Sequence, residues 1–251
     1  YEKNMGANYA RNLGIKHASG RYIAFQDSDD EWLPEKLHLQ IKAIGESPDD
    51  IGVVFTGYWR ITGDNKEYYP FFSKNPEKNR ETVYRMLYLY VPTSTVMLKR
   101  GCFDKAGLFD ENLSRLQEWE LWIRTSNYYR FKYIEEPLVI SYYQPVSIGM
   151  KSKALFDAFE LIRNKHRSIF DKDKERLAYL YAKFAIPLIS SYETKDKGRI
   201  YLRRAFMLRP NSLKYLGLAL FSLLNFNTIL FAKRIYVRIK KLLESITGNR
   251  Y

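Results

Sequence analysis

The chain has 251 residues, of which 46% are hydrophobic, and a formal net charge of +13 at pH 7. This length suits one domain with a sizeable core plus an appended region. A single cysteine, Cys102, excludes an internal disulfide framework, fits a reducing compartment and is most simply a small buried hydrophobe. Residues 195–251 carry 13 Lys/Arg against two acidic residues, so any attraction to nucleic acid or another anion belongs to this basic tail.

The first predicted elements are a helix and a strand. Residues 4–20 are typical of a helix and its exit, with Gly20 ending the segment. The predicted apolar side of this helix consists of small and aliphatic residues, namely Ala7, Ala10, Leu13 and Ile15. Residues 22–25 form a short, β-prone apolar run, which predicts a buried strand.

Residues 27–30 contain three aspartates and follow this strand directly. We predict that the next helix begins at Pro34 and buries three aliphatic residues, Leu37, Ile41 and Ile44. Open α/β sheets bind ligands at the carboxyl ends of their strands. Carboxylates this close repel one another, and a hard divalent cation with oxygen ligands would offset the repulsion. A solvated acidic turn that caps the following helix is an equally open interpretation of these residues alone.

The middle of the chain alternates between β-rich and helical patterns. The predicted elements are a strand over 51–61, a hairpin turn at 63–66, a loop over 68–80, a short helix over 82–90, a strand over 95–98 and a helix over 100–106 that Gly107 ends.

Glu118 stands in the first turn of a helix predicted over residues 116–124. Trp119, Trp122 and Ile123 share one apolar face of that helix. The helix dipole stabilises a carboxylate in the first turn, so one interpretation of Glu118 is a helix cap. The other interpretation is a general base.

Several blocks, in this order and spacing, resemble the middle of family 2 inverting glycosyltransferases. They are residues 4–15 (Asn-Met-Gly-Ala-Asn-Tyr-Ala-Arg-Asn-Leu-Gly-Ile), 18–20 (Ala-Ser-Gly) and 23–30 (Ile-Ala-Phe-Gln-Asp-Ser-Asp-Asp), and the acidic run resembles the family's DxD motif. The resemblance continues to about residue 150. It implies an α/β, Rossmann-like, nucleotide-sugar-binding A-type fold with a mixed sheet over residues 1–150. Because the family begins with strands and a nucleoside-binding loop not seen here, we expect an N-terminally truncated domain.

The resemblance also implies roles for individual residues. Glu118 would be the catalytic base, at a position where the family commonly has aspartate. The extra methylene moves the carboxylate by about a bond length, a shift that matters for proton transfer. Arg11, Asp27 and Asp29 would bind the donor. Asp29 would be the main ligand of Mn²⁺ or Mg²⁺, with Asp27 assisting.

The acceptor side is assigned to Trp119, Glu120 and Trp32, with Glu120 as the alternative base. One stretch departs from the family, which often has Tyr-Arg-x-His after the position of Ile140. This chain has Ser-Tyr-Tyr-Gln-Pro at 141–145, so the basic residues that would approach the phosphates are missing there.

Residues 151–251 are predicted to be a helical, basic C-terminal region, with helices over 154–170 and 175–192. Residues 199–223 resemble a tetratricopeptide-like helix-turn-helix, although one unit is too few for a repeat array. Residues 215–232 carry no charge and have basic neighbours, which suits peripheral attachment to an anionic membrane surface. Helices that pack on the catalytic domain and expose a basic face are an equally open alternative.

The sequence therefore predicts transfer of a sugar, with inversion, from a nucleotide-diphosphate sugar to a hydroxyl of a glycan or lipid-linked acceptor. The predicted setting is bacterial cell-surface polysaccharide synthesis at the cytoplasmic face of the plasma membrane. A non-catalytic relative or scaffold is the alternative. A nucleic-acid binder ranks last, because the sequence lacks a basic groove with interleaved aromatic residues. No motif specifies the donor base, the sugar, the acceptor or the linkage.

Overall fold

The computed structural model describes residues 5–71, 91–142 and 152–224. The chain divides into two compact units, Tyr1–Ser147 and Ile148–Tyr251. The described helices of the first unit are α1 (Ala7–His17), α2 (Lys36–Gly45), α3 (Gly101–Ala106) and α4 (Gln117–Thr125). Its described strands are β1 (Tyr22–Ala24), β2 (Asp30–Trp32), β3 (Ile51–Thr62), β4 (Asn65–Tyr69), β5 (Val96–Lys99) and β6 (Arg130–Tyr142). A 3₁₀ turn, Thr93–Thr95, precedes β5 and is named the buried turn below.

These six strands form one mixed sheet. Their order is β1-β5-β3-β6-β2, and β4 pairs with β3 off this path. β3 and β6 run parallel, whereas the other pairs are antiparallel. β1 and β2 stand at opposite ends of the order, although only residues 25–29 separate them in the chain. The predicted α/β class with a mixed sheet is confirmed, as is the hairpin of β3 and β4.

The core of the first unit lies around β3 and α4. Residues 53–55 of β3 are fully buried, as expected of a central strand that is covered on both faces. α4 buries the predicted face, formed by Trp119, Trp122 and Ile123. The ring of Trp122 meets that of Phe131 edge-on, with centroids 6.3 Å apart. Burial of such large aromatic side chains contributes strongly to stability.

α3 agrees with its prediction at Cys102 and at its C-terminus. Cys102 is a free, buried thiol whose Sγ lies 3.3 Å from the carbonyl oxygen of Gly52. Burial raises the pKa of this thiol to about 12, so it carries no reactive thiolate at neutral pH. Gly107 ends the helix with φ 76°, in the left-handed region that favours glycine.

The buried face of α1 differs from the prediction. The helix buries Asn8 and Asn12 together with Ile15, whereas Ala7 and Ala10 are exposed. Of the predicted apolar side only Ile15 is buried, because two amide side chains find hydrogen-bond partners inside the protein. A buried polar group is tolerated when its hydrogen bonds are made.

Of the three residues predicted for the buried side of α2, only Ile44 is buried, and it shares that side with two polar residues. Leu37 and Ile41 are 43% and 46% exposed, whereas Lys36, Gln40 and Ile44 are buried. The amide of Gln40 donates to two backbone carbonyl oxygens, those of residues 54 and 95, at 3.3 and 2.9 Å. These bonds fix which side of the helix faces the sheet.

The acidic residues do not lead straight into a helix. Asp30 begins β2, which pairs with β6 in the register Asp30–Ser141. α2 begins only at Lys36, two residues after the predicted Pro34. The predicted helix over 82–90 and most of the loop over 68–80 lie outside the described residues.

The described part of the second unit is helical. Its helices are α5 (Ser152–Lys165), α6 (Arg167–Phe170), α7 (Lys174–Ile189), α8 (Lys195–Leu208) and α9 (Leu213–Ser222). The helix predicted over 154–170 is therefore two helices. The core is aromatic, with Phe159 in contact with the rings of Phe170, Tyr181, Phe184 and Tyr201.

α8 and α9 form a helix hairpin in the region predicted as a helix-turn-helix. Arg199 Nε donates to the carbonyl oxygen of Ser222 at 2.8 Å, which joins the start of α8 to the end of α9. Across the three described ranges, no helix combines the length and the hydropathy needed to cross a membrane.

Candidate active site

α1 holds the loop that leads into α4 through its two buried asparagines. Asn8 Nδ2 donates to two carbonyl oxygens of the loop 110–113, at 2.8 and 2.7 Å. Asn12 and Phe109 exchange two hydrogen bonds of 2.9 Å, one in each direction. Arg11 stands beside these asparagines, since residues three and four positions apart share a helix face. The hydrogen bonds that hold the loop against α1 therefore also direct Arg11 toward the start of α4.

The acidic segment 27–29 lies where β1 ends. β1 and β5 are antiparallel with Ala24 opposite Met97, so the residues after β1 meet the residues before β5. The residues before β5 are the buried turn. Strand pairing thus brings the acidic segment beside Thr93 and Ser94.

The guanidinium of Arg11 joins Asp27 and Glu118. Arg11 Nη2 lies 2.9 Å from Asp27 Oδ1, and Nη1 lies 3.1 Å from Glu118 Oε1. The Arg11 side chain is only 15% exposed, so solvent and salt screen these ion pairs less than pairs at the surface. Two carboxylates far apart in the sequence therefore share one half-buried cation.

The entry into α4 sets the position of Glu118. Leu116, the N-cap residue, has φ 57° and ψ 20°, in the left-handed region. For a leucine this conformation costs about 1 kcal/mol, so surrounding contacts must maintain it. The hydroxyl of Thr93 donates to Glu118 Oε1 at 3.0 Å, on the same oxygen that Arg11 contacts.

The three aspartates have different surroundings. Asp29 is exposed, and no described residue pairs with or donates to its carboxylate. Asp30 accepts a hydrogen bond from the hydroxyl of Ser94. Burial raises the pKa of Asp30 above the ordinary range of an aspartate, and hydrogen bonds from Ser94 and Ser141 oppose that rise. Asp27 and Asp29 therefore keep carboxylate oxygens available for a ligand.

Asp27 and Asp29 fit the oxygen chemistry of Mn²⁺ or Mg²⁺. Mg²⁺ typically uses one or two protein carboxylates and completes its octahedron with water and substrate phosphates. In the described part of the chain, no group of three or more His, Cys, Asp or Glu is placed to hold a metal. Two carboxylates would leave positions on such a cation for water and phosphate oxygens.

The three residues predicted for the acceptor side differ in how exposed they are. Glu120 is fully buried, and three hydrogen bonds of 2.8 to 3.0 Å join its carboxylate to Arg124. Trp119 is 3% exposed. Neither side chain has a surface to offer an acceptor, so these two predictions are not supported. Trp32 is partly exposed, and its Nε1 donates to the carbonyl oxygen of Ser94 at 3.1 Å, beside the acidic segment.

Residues 141–145, the stretch that departs from the family pattern, begin beside β2. Ser141 lies opposite Asp30 in the sheet, and the hydroxyl of Tyr142 donates to Glu31 Oε2 at 3.2 Å. Residues 143–145 lie outside the described residues. The two described residues of this stretch therefore contact the strand that follows the acidic segment.

A groove of about 450 Å³ opens between α1 and β1. Arg11 and Asp27 line it together with apolar side chains, including Ile15 and Phe25. Its volume falls within the range of small-ligand sites, which combine apolar walls with a few polar groups.

Sequence reasoning missed Asn8, Asn12, Thr93 and Ser94. The two asparagines stand four positions apart on one helix, and this spacing was the only sign of a shared polar face. Thr93 and Ser94 have no periodic signal. Their place beside the site follows from the pairing of β1 with β5, which joins distant parts of the chain.

Residues 2–107 match the family model described as glycosyl transferase family 2. The chain is similar to that family over this part, which is less than half of its length. The matched segment contains α1, the acidic segment and the buried turn, whereas Glu118 and α4 lie beyond its end.

Similar proteins include two named for polysaccharide synthesis. The chain is 31% identical over 159 residues to the amylovoran biosynthesis glycosyltransferase AmsB of Erwinia amylovora, covering 61% of this chain and 52% of that protein. It is 46% identical over 63 residues to the putative teichuronic acid biosynthesis glycosyltransferase TuaG of Bacillus subtilis, covering 25% and 24%. The chain spans about half or less of the length of these curated relatives. Among solved structures, it is similar to TarS 1-349 of S. aureus, with a TM-score of 0.49, 14% identity and coverage of 93% and 73%.

Proposed function

We propose that this chain carries the catalytic site of a metal-dependent glycosyltransferase that moves a sugar, with inversion, from a nucleotide-diphosphate sugar to a hydroxyl group. One observation carries the proposal: a single guanidinium, that of Arg11, contacts both Asp27 of the acidic segment and Glu118. This shared contact supports one site that contains both the carboxylate assigned to the donor and the carboxylate assigned to the base.

In the proposed reaction, Glu118 acts as the general base. As the acceptor oxygen bonds to the anomeric carbon, its proton passes to Glu118, and the bond from that carbon to the diphosphate oxygen breaks. The diphosphate leaves with the electron pair. Arg11 can offer its guanidinium to phosphate oxygens, a geometry that arginine suits well.

Asp27 and Asp29 are proposed to hold Mn²⁺ or Mg²⁺. A bound cation would supply positive charge where the leaving diphosphate gains negative charge. Asp29 is the better placed of the two, because it is exposed and no described residue engages its carboxylate.

The proposed acceptor is a glycan or a lipid-linked sugar of bacterial cell-surface polysaccharide synthesis. The names of the similar proteins from Erwinia amylovora and Bacillus subtilis support this setting. The proposed location is the cytoplasmic face of the plasma membrane, with peripheral attachment through the basic second unit. That unit has 22 Lys/Arg against 8 Asp/Glu.

The test is an assay of transfer by the intact protein with a panel of nucleotide sugars, in Mn²⁺, in Mg²⁺ and with chelator. Glu118→Gln should lower kcat by about 10²- to 10⁴-fold, the usual contribution of a general base. Asp29→Asn should abolish metal-dependent binding of a nucleoside diphosphate. Glu46→Gln and Asp64→Asn change exposed carboxylates away from the site and should leave both measurements unchanged.

The same assay separates this proposal from its alternative. Metal-dependent nucleotide binding without turnover of any donor, across a panel of glycan and lipid-linked acceptors, would favour a non-catalytic binding protein. Full activity of Glu118→Gln would remove Glu118 from the chemistry.

A further inference from the structure

The buried turn contacts both halves of the candidate site. Thr93 is 3% exposed, and Ser94 and Thr95 are fully buried. The hydroxyl of Thr93 donates to Glu118 Oε1 at 3.0 Å, and the hydroxyl of Ser94 donates to the carboxylate of Asp30. Through these two hydrogen bonds, Thr93 and Ser94 connect α4 with β2, the strand that follows the acidic segment.

Two donors converge on one oxygen of Glu118. Oε1 accepts from Thr93 at 3.0 Å and from Arg11 at 3.1 Å, whereas no described residue donates to Oε2. The side chain of Glu118 is 23% exposed. One oxygen is therefore anchored by the protein, and the other remains available to accept a proton from a ligand.

The donor on the turn is itself held in place. The hydroxyl of Thr95 donates to the carbonyl oxygen of Pro92 at 2.7 Å, and Gln40 Nε2 donates to the carbonyl oxygen of Thr95 at 2.9 Å. Trp32 Nε1 donates to the carbonyl oxygen of Ser94 at 3.1 Å. These bonds hold the backbone of the turn, and the Thr93 side chain is buried, so its hydroxyl contacts the carboxylate from a defined position.

We propose that Thr93 is a positioning residue for Glu118: its hydroxyl anchors Oε1 so that Oε2 faces the acceptor hydroxyl. This inference rests on the proposed function. During transfer the O–H bond of the acceptor breaks and its proton goes to Oε2, while Oε1 keeps its hydrogen bond from Thr93. General-base catalysis needs the base within hydrogen-bond reach, and a misplacement of about 1 Å can cost about 100-fold in rate.

The experiment compares steady-state kinetics of the intact protein carrying Thr93→Val, Thr93→Ser or Thr125→Val. Thr93→Val should lower kcat by about 10- to 100-fold with the donor KM unchanged, and Thr93→Ser should recover most of that loss. Thr125→Val is the matched control, because this buried threonine of α4 donates only to the carbonyl oxygen of Leu121. Its kcat should equal that of the wild type.

A double-mutant cycle distinguishes positioning from a structural role. If Thr93 acts through Glu118, adding Thr93→Val to Glu118→Gln should lower the residual kcat by no more than about 2-fold. A merely structural effect would multiply the two losses. Far-UV circular dichroism and nucleoside diphosphate binding confirm folding of each variant, and Thr93→Ala provides a second hydroxyl-free variant if valine disrupts the turn.

The outcomes separate this inference from the proposed function. If Glu118→Gln is inactive while Thr93→Val and Thr93→Ala keep the kcat of Thr125→Val, the positioning role is wrong and the proposed function stands. Multiplicative losses in the cycle would also overturn the positioning role. Absence of turnover by the wild type with every donor and acceptor would overturn both.

Discussion

Lys36 shows how a charged side chain is accommodated in the core of the first unit. Its Nζ donates to Gln40 Oε1 at 2.7 Å and lies 4.0 Å from the centroid of the Trp32 ring. The residue is fully buried, and loss of hydration lowers the pKa of its ammonium group to about 7. The protein therefore keeps an ionisable group whose charge changes near neutral pH.

Replacing Lys36 should change how stability depends on pH. Between about pH 7 and pH 10.5 the unfolded chain binds a proton at this lysine that the folded chain does not, so the free energy of unfolding rises with pH. The rise from one proton is at most about 1.4 kcal/mol per pH unit. Urea unfolding of the wild type and Lys36→Met, at about pH 7.5 and pH 9.5, should show a smaller rise in the variant.

Lys42→Met supplies the comparison, because Lys42 is an exposed lysine of the same helix. Its pH dependence should match that of the wild type. An equal rise in Lys36→Met and the wild type would contradict the assignment of a lowered pKa to Lys36.

At the scale of elements, the close approach of α7 and α8 depends on a glycine. A Cβ at Gly198 would lie 2.5 Å from Ile189 Cγ2, 2.8 Å from the backbone nitrogen of Ile189 and 3.0 Å from the carbonyl oxygen of Ala185. Backbone atoms cannot move aside as the end of a flexible side chain can. The two helices can therefore pack at this distance only because residue 198 lacks a side chain.

Alanine at two helical glycines should have opposite effects. Gly198→Ala should destabilise the second unit by roughly 1 to 3 kcal/mol through overpacking. Gly217→Ala should stabilise it by up to about 1 kcal/mol, because nothing lies within 4 Å of the added Cβ and alanine favours helix. Urea unfolding followed by circular dichroism measures both, and equal shifts in the two variants would refute the close approach at residue 198.

At the scale of the whole molecule, the excess of positive charge lies in the second unit. The first unit has 19 Lys/Arg against 20 Asp/Glu, whereas the second has 22 against 8. The second unit also holds the four most exposed large apolar side chains of the described residues, namely Tyr192, Met207, Leu213 and Leu223. Exposed apolar groups among basic residues suit an anionic lipid surface, where both contribute to binding.

The intact protein should bind vesicles that contain phosphatidylglycerol and not vesicles of phosphatidylcholine alone. Raising NaCl from about 50 to about 500 mM should weaken binding, because salt screens the attraction of basic residues to the lipid headgroups. Leu213→Ser with Leu223→Ser should weaken binding at low salt. Vesicle cosedimentation measures these effects.

The matched control is Leu37→Ser with Ile41→Ser, which removes two exposed apolar side chains from the first unit. This variant should bind vesicles as the wild type does. Binding unaffected by loss of Leu213 and Leu223, and competed away by duplex DNA, would instead support a nucleic-acid partner.

The sequence by itself determined those elements whose stability comes from local pattern. The apolar spacing of Trp119, Trp122 and Ile123 predicted the buried face of α4, and Gly107 predicted the end of α3. The β-prone run before residues 27–30 predicted a strand followed by three carboxylates, although β1 lies at the end of the strand order and only its Ile23 is buried. Each of these signals lies within a few residues, so periodicity and glycine conformation are enough to specify it.

The tertiary structure alone decided which distant polar groups meet. The contact of Thr93 with Glu118, the clamp made by Asn8 and Asn12, and the hydrogen bonds of Gln40 to residues 54 and 95 all join residues to partners far away in the sequence. A buried polar side chain is stabilised only by specific hydrogen bonds, and these depend on how strands and helices come together. The order of the sheet, which places β1 beside β5 and β2 beside β6, therefore built the candidate site from segments that the sequence leaves apart.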